Sequence, residues 1–430
     1  MAEDLRFPKG FHWGTATSSH QVEGNNRNNN WWPWEQVPGN VKDGTTSGIA
    51  TDHYNRFEED FTLSEEFGHN AHRFSIEWSR IEPEEGRWDE KEVEHYRRVV
   101  ESLHKHNLTP FVTLHHFTNP IWFDELGGWT SDRAPQLLGR YAGYMAKQLG
   151  DAVPFWLTIN EPPVLPAASY IAGAHPPAKR DMGLAMAASR NILRSLSTMH
   201  SAVRENAPHS PKIGPVINMM YVMPASDSDE DKQAAKLMDQ YWNAYWLDGL
   251  QDGVIGPPAG NGEEVPGLKG AWDFVGLNYY SRGVIGAGRG IMGLRQIHPA
   301  ADAETSTMGW EVYPAGFYQC ITRLKPYGIP VYITENGIGT DDDDQRQRYI
   351  VRHLNEVARA IKDGTDVRSY LHWCQQDNFE WAEGYRQKFG LFECEEVTLN
   401  RIPKPSAYMF KEIAQKNAVP GKLVEKYVKV

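Results

Sequence analysis

The stretch Phe155-Trp156-Leu157-Thr158-Ile159-Asn160-Glu161-Pro162 is an apolar run that stops abruptly on an amide and a carboxylate. The construction recurs as Val331-Tyr332-Ile333-Thr334-Glu335-Asn336-Gly337, where β-branched and aromatic residues close on Thr, a carboxylate, an amide and a turn residue. Both runs have the length and residue types of buried strands. They read as two strands of one barrel whose ends deliver two glutamates to one pocket.

The flanking sequence supports that reading. Short apolar runs that read as strands cover residues 11–16, 71–76, 109–114, 153–159, 212–217, 273–277, 331–334 and 367–373. Between them, helical spacing covers 52–67, 89–106 (with Asp89 as its cap), 131–149, 183–206, 228–247, 314–327, 341–363 and 405–415. Strands that alternate with helices of this length run parallel with right-handed crossovers, and eight of them close. The fold predicted is a single-domain (β/α)8 TIM barrel with extended βα loops over residues 1–430. An open doubly wound sheet often carries a glycine fingerprint after its first strand; Gly14-Thr15-Ala16-Thr17-Ser18 supplies neither that nor a phosphate loop. The Gly/Pro-rich segment 252–270 reads as a loop, and the acidic run 341–344 as a solvated approach to a helix.

A net charge of −12 without any basic run argues against nucleic acid. Cys320, Cys374 and Cys394 are odd in number and widely spaced, so neither a disulfide framework nor a zinc site is indicated. The start of the chain lacks a signal-peptide pattern, and no stretch is apolar enough to span a membrane; a cytoplasmic location is expected. Fifteen tryptophans can be core, or flat faces for the C–H surfaces of pyranose rings.

In such a barrel, catalytic groups sit on the C-terminal ends of strands, where both Glu161 and Glu335 fall. Two carboxyls about 5–5.5 Å apart suit a retaining glycosidase, and two roughly 6.5–9.5 Å apart an inverting one. A carboxylate-held divalent metal would want His and Asp companions at short spacing, which are missing.

Four segments together resemble glycoside hydrolase family 1, the β-glucosidase family, nearly end to end. Residues 11–24 (FHWGTATSSHQVEG) are similar to its opening signature, 158–162 (TINEP) to its acid/base motif, 333–337 (ITENG) to its nucleophile motif, and 377–385 (DNFEWAEGY) to its sugar-binding loop. The resemblance implies a retaining exo-β-glycosidase acting on β-glucosides, with β-galactosides and β-fucosides as further substrates and no cofactor. Glu335 would be the nucleophile and Glu161 the acid, then base. Arg73, Asn278 and Tyr280 would support them, with Arg73 and Tyr280 holding the nucleophile. Gln21, His116, Asn160, Glu380 and Trp381 match positions that hydrogen-bond sugar hydroxyls, and Trp373 the platform under the ring. A core histidine at a strand end is the bland alternative for His116. Leaving-group contacts would come from Trp310 and the 252–270 loop.

Some positions discriminate. Glu380 would repel a phosphate at close range, and the branch taking 6-phosphorylated sugars lacks this glutamate. Lys388 is followed by Phe389 and Gly390, without that branch's tyrosine. Cys374-Gln375-Gln376 departs from the family's usual small and apolar residues, and the two amides are expected to influence Trp373 or Glu380. The proline-rich run 162–166 should stiffen one cleft wall. Trp31-Trp32-Pro33-Trp34 reads as packing of the long first loop. The rivals are a 6-phospho-β-glycosidase and a catalytically silent sugar-binding protein on the same scaffold, which the survival of both carboxylates opposes.

Overall fold

The computed structural model describes residues 2–428, so Met1, Lys429 and Val430 of the expected 1–430 domain lie outside the described residues. Eight parallel strands close into a barrel in chain order: β1 (His12–Ala16), β2 (Ala71–Ser75), β3 (Thr109–His115), β4 (Phe155–Asn160), β5 (Lys212–Asn218), β6 (Val275–Asn278), β7 (Val331–Asn336) and β8 (Val367–Trp373), which pairs back with β1. Each corresponds to a strand read from the sequence, so the alternation of apolar runs and helical spacing was sufficient to locate them.

The outer layer comprises α1 (His53–Glu66), α2 (Glu90–Lys105), α3 (Ala134–Leu149), α4 (Met182–Asn206), the segment Tyr245–Asp252 that continues α5 (Asp229–Asp239), α6 (Pro314–Leu324), α7 (Asp343–Lys362) and α8 (Pro405–Lys416), while α5 itself packs above the barrel. Asp89 caps α2 as predicted, its carboxylate accepting from Lys91 N at 3.0 Å. The acidic run has a sharper role than a solvated approach. Asp342 caps α7, and Asp343 accepts from both the amide and the hydroxyl of Ser406 at 2.7 Å, docking α8.

The barrel floor is sealed by Phe111, Phe155, Phe274 and Tyr332 with Leu157, Val216 and Leu371; the Phe111 and Phe155 rings stack at 4.3 Å. Polar side chains can therefore occupy only the upper end. On β4 the inward set begins Phe155, Leu157, and strict alternation would next turn Ile159 inward. A register irregularity between Leu157 and Asn160 inverts the phase, leaving Ile159 in the outer core and Asn160 free to face the barrel. Comparable irregularities fall at Leu277/Asn278 and Ile333/Asn336.

Two expectations need correction. Helix α5 does not end near Leu247 but continues through a wide turn, Gln240–Ala244, into Tyr245–Asp252. The 252–270 segment contains a short antiparallel pair, Val254–Ile255 with Glu263–Glu264, and lies on the wrong side for leaving-group contacts. It feeds the N-terminal end of β6 and packs on α4, with Arg190 Nη1 donating to Ala259 O at 2.9 Å and Ser197 Oγ to Pro266 O at 2.7 Å. A small sheet of Tyr221–Pro224, Arg282–Ala287 and Leu294–Ile297, built into the loops after β5 and β6, was not foreseen. Among the described residues no helix is long and apolar enough to cross a membrane.

Candidate active site

Glu161 follows the last residue of β4, and Glu335 is the penultimate residue of β7, so both stand on the C-terminal rim, 7% and 3% exposed. Glu161 has φ 48°, a left-handed backbone that side chains other than glycine seldom adopt. Holding it there costs on the order of 1 kcal/mol, supplied by the packed barrel around it.

The two carboxyls have contrasting partners. Glu335 is ion-paired with Arg73 of β2 and accepts from Tyr280 Oη at 2.5 Å. The remaining arms of Arg73 are also fixed, Nε donating to Thr113 Oγ1 at 3.0 Å and Nη2 to Asn160 Oδ1 at 2.7 Å. Glu161 has neutral amide partners: Asn278 Nδ2 and Asn218 Nδ2 both donate to its Oε1 at 2.9 Å. Burial, and then the charge of Glu335, push Glu161 up to about 7, outweighing those amides and Arg73. One carboxyl is locked in an ion pair, while the other titrates near neutrality.

Around this pair the structure gathers every side chain predicted to meet the sugar. Gln21 Nε2 donates to Glu380 Oε2 at 3.3 Å and Phe379 O at 2.9 Å, and Ser18 holds its amide oxygen at 2.6 Å. Burial foremost, then Glu335, raise Glu380 to about 8. Asn160 Nδ2 lies 3.1 Å from His116 Nε2, and because an amide nitrogen only donates, His116 carries its proton on Nδ1. That buried N–H has no partner among the described residues, and burial keeps the ring neutral. Rings of Trp373 and Trp381 each lie 6.0 Å from His116 and nearly parallel to it. Trp381 is backed by Trp31 at 4.6 Å, so Trp31 of the first-loop run is packing.

Gln375 and Gln376 do not touch Trp373 or Glu380 through their amides. Gln375 Nε2 donates to Asp60 O at 2.7 Å and Gln376 Nε2 to Thr51 Oγ1 at 3.1 Å, away from the cleft and toward the buried Asp60–Arg401 pair. Trp310 is 37% exposed at the mouth, its ring 5.4 Å from Tyr280. Among the described residues, no group of three or more His, Cys, Asp or Glu is arranged to hold a metal ion.

Sequence reasoning missed Asn218, Thr113, Thr334 and Trp242. Asn218 had a readable signal, since Val216-Ile217-Asn218 is another apolar run ending on an amide. Four successive strands, β4 to β7, end on Asn160, Asn218, Asn278 and Asn336. Thr334 Oγ1 donates to Asn278 Oδ1 at 2.7 Å and so turns the Asn278 amino group toward Glu161.

Residues 3–419 match the model of Glycosyl hydrolase family 1. Beta-glucosidase A of Thermotoga maritima is 34% identical, covering 96% of this chain and 99% of its own length. A beta-galactosidase of Pyrococcus woesei is 29% identical, covering 98% and 100%. The solved structure of the Thermotoga maritima β-glucosidase in complex with glucoimidazole has a TM-score of 0.89 at 34% identity, covering 96% of this chain and 99% of that one. With the barrel, the paired carboxyls and the sugar-type cleft already in place, a match of this extent establishes that the chain belongs to glycosyl hydrolase family 1.

Proposed function

We propose that the chain is a single-domain retaining exo-β-glycosidase that hydrolyses unphosphorylated β-glucosides, with β-galactosides and β-fucosides as further substrates. The observation that carries it is the unequal setting of the two carboxyls. Glu335, with Arg73 and Tyr280 engaging both its oxygens, is poorly suited to take a proton from water and well suited to attack carbon. Glu161, raised to about 7, can hold a proton for the leaving group at neutral pH.

In the first step Glu335 bonds to the anomeric carbon as the bond to the leaving oxygen breaks, and Glu161 passes its proton to that oxygen. The resulting ester carries no charge, so the influence that Glu335 exerts on Glu161 disappears and Glu161 becomes the base. It takes a proton from water, whose oxygen then displaces Glu335 from the anomeric carbon. His116 Nδ1–H, Gln21, Asn160, Glu380 and Trp381 would hold the sugar hydroxyls over Trp373. Trp310, exposed beside Tyr280, is the candidate leaving-group platform.

Choice of an unphosphorylated sugar rests on the partners of Glu380 more than on repulsion. At a value of about 8 it is largely neutral at pH 7, and its hydrogen-bond partners are Gln21 and the Trp373 indole rather than the cations a phosphate requires. Names of relatives include both glucosidase and galactosidase, which favours breadth in the glycone.

Proton NMR of the first-formed product tests the assignment: the β-anomer is expected, and an initial α-anomer would sink the retaining reading. Glu335→Gln should abolish turnover of nitrophenyl glycosides in a folded protein. Activity confined to nitrophenyl 6-phospho-β-glucoside would instead favour the phosphorylated class.

A further inference from the structure

Each Asn ending β4 to β7 could turn its amide either way, and at Glu161 the difference is between donating to a carboxylate and accepting from an acid. Trp242 removes the ambiguity for Asn218. Its Nε1–H lies 3.1 Å from Asn218 Oδ1, and an indole nitrogen can only donate, so the Asn218 amino group must point the other way, where it meets Glu161 Oε1 at 2.9 Å. Trp242 is half-buried in the wide turn Gln240–Ala244 that interrupts the helix after β5. Such turns widen a helix locally and re-aim its side chains. On the opposite flank, Thr334 fixes Asn278 in the same sense, and Asn278 Nδ2 also ends on Oε1 at 2.9 Å.

We propose that Trp242 and Asn218 are a positioning pair for Glu161: the indole fixes the amide, the amide reserves Oε1 as an acceptor, and the transferable proton is thereby assigned to Oε2. This rests on the reading of Glu161 as acid and base. An oxygen already accepting two N–H bonds has no lone pair to spare for carrying a hydroxyl proton that is then handed on. Trp242 acts only through Asn218, and neither residue contributes charge. The charged and titratable groups that act on Glu161 are Glu335, Glu380 and Arg73, with the Tyr280 hydroxyl beside them. Against that background, a donated N–H stabilises the carboxylate form, and its loss or reversal favours the acid.

The test is the pH dependence of kcat/KM for the wild type, Trp242→Phe, Asn218→Leu and the double variant, each checked by thermal unfolding. Asn218→Leu should move the alkaline limb upward by about one pH unit, the size of one lost charge-assisted hydrogen bond. Trp242→Phe should move it the same way by less, and the double variant no further than Asn218→Leu. A purely structural role would lower rates without moving the limb. Profiles of both single variants that overlay the wild type, or shifts that simply add in the double, would overturn the pairing. Glu161→Ala serves as the separate check. If it keeps the wild-type alkaline limb, the assignment of Glu161 itself fails, whatever the pair does.

Discussion

Arg73 divides its guanidinium among Glu335, Asn160 and the Thr113 hydroxyl, so one buried side chain couples the proposed nucleophile to the amide next to the proposed acid. A lysine cannot reproduce that fork. Arg73→Lys should lower kcat about 100-fold or more while KM changes little, because the interactions lost matter most as charge redistributes in the transition state; a large KM effect with kcat preserved would contradict this. Glu161 sets a second expectation. Since the acid step needs its proton, kcat/KM should fall as pH rises through about 7. Glu161→Ala should remain able to form the glycosyl-enzyme from substrates with good leaving groups, and added azide should restore turnover as a β-glycosyl azide. None of this was hidden at the level of residue identity. Which oxygen of Glu161 is occupied, and by which amides, depends on Asn218 and Trp242 meeting across two elements, and linear spacing does not reveal such a meeting.

The strands carry this chemistry because their upper ends are irregular. The turn residue read in Gly337 is required for another reason: a Cβ there would lie 1.9 Å from the Trp373 carbonyl oxygen, so β7 and β8 approach too closely for any side chain. Gly337→Ala should displace Trp373 and raise KM for nitrophenyl β-glucoside along with a clear loss of thermal stability; an unchanged KM would show that the platform is set elsewhere. Gln376→Leu is a contrasting case. Its amide points to Thr51, and its Oε1 is buried without a partner among the described residues, so removing it should leave the glucoside-to-galactoside rate ratio within about twofold of wild type. The barrel strands were legible because floor residues such as Phe111 and Phe155 make the runs continuously apolar. The small sheet was not, since Arg282–Ala287 contains Gly283 and Gly286 and is only partly buried. Phase inversion at Ile159 likewise leaves no mark on composition.

For the molecule as a whole, the site opposes stability at alkaline pH. Glu161 and Glu380 rise from an ordinary 4.5 to about 7 and about 8, so between those limits the folded state holds more protons than the unfolded chain and stability falls as pH rises. Glu161→Gln should therefore raise the free energy of unfolding more at pH 8 than at pH 5, by on the order of 2 kcal/mol, read as a larger gain in Tm at pH 8. Equal gains at both pH values would refute the raised carboxyl. On the acid side, buried His69, His72, His353 and His372 are held down to about 3 by burial. The unfolded chain binds those protons first, so their contribution is lost as pH falls below about 6.5. Between these regimes, the collar of Asn160, Asn218, Asn278 and Asn336 has another property. Amides neither gain nor lose a proton in the ordinary pH range. The two of them that hold Glu161, Asn218 and Asn278, therefore keep their form while it titrates, and a brief excursion to alkaline pH should idle the enzyme like a switch, with full activity returning as soon as the proton does.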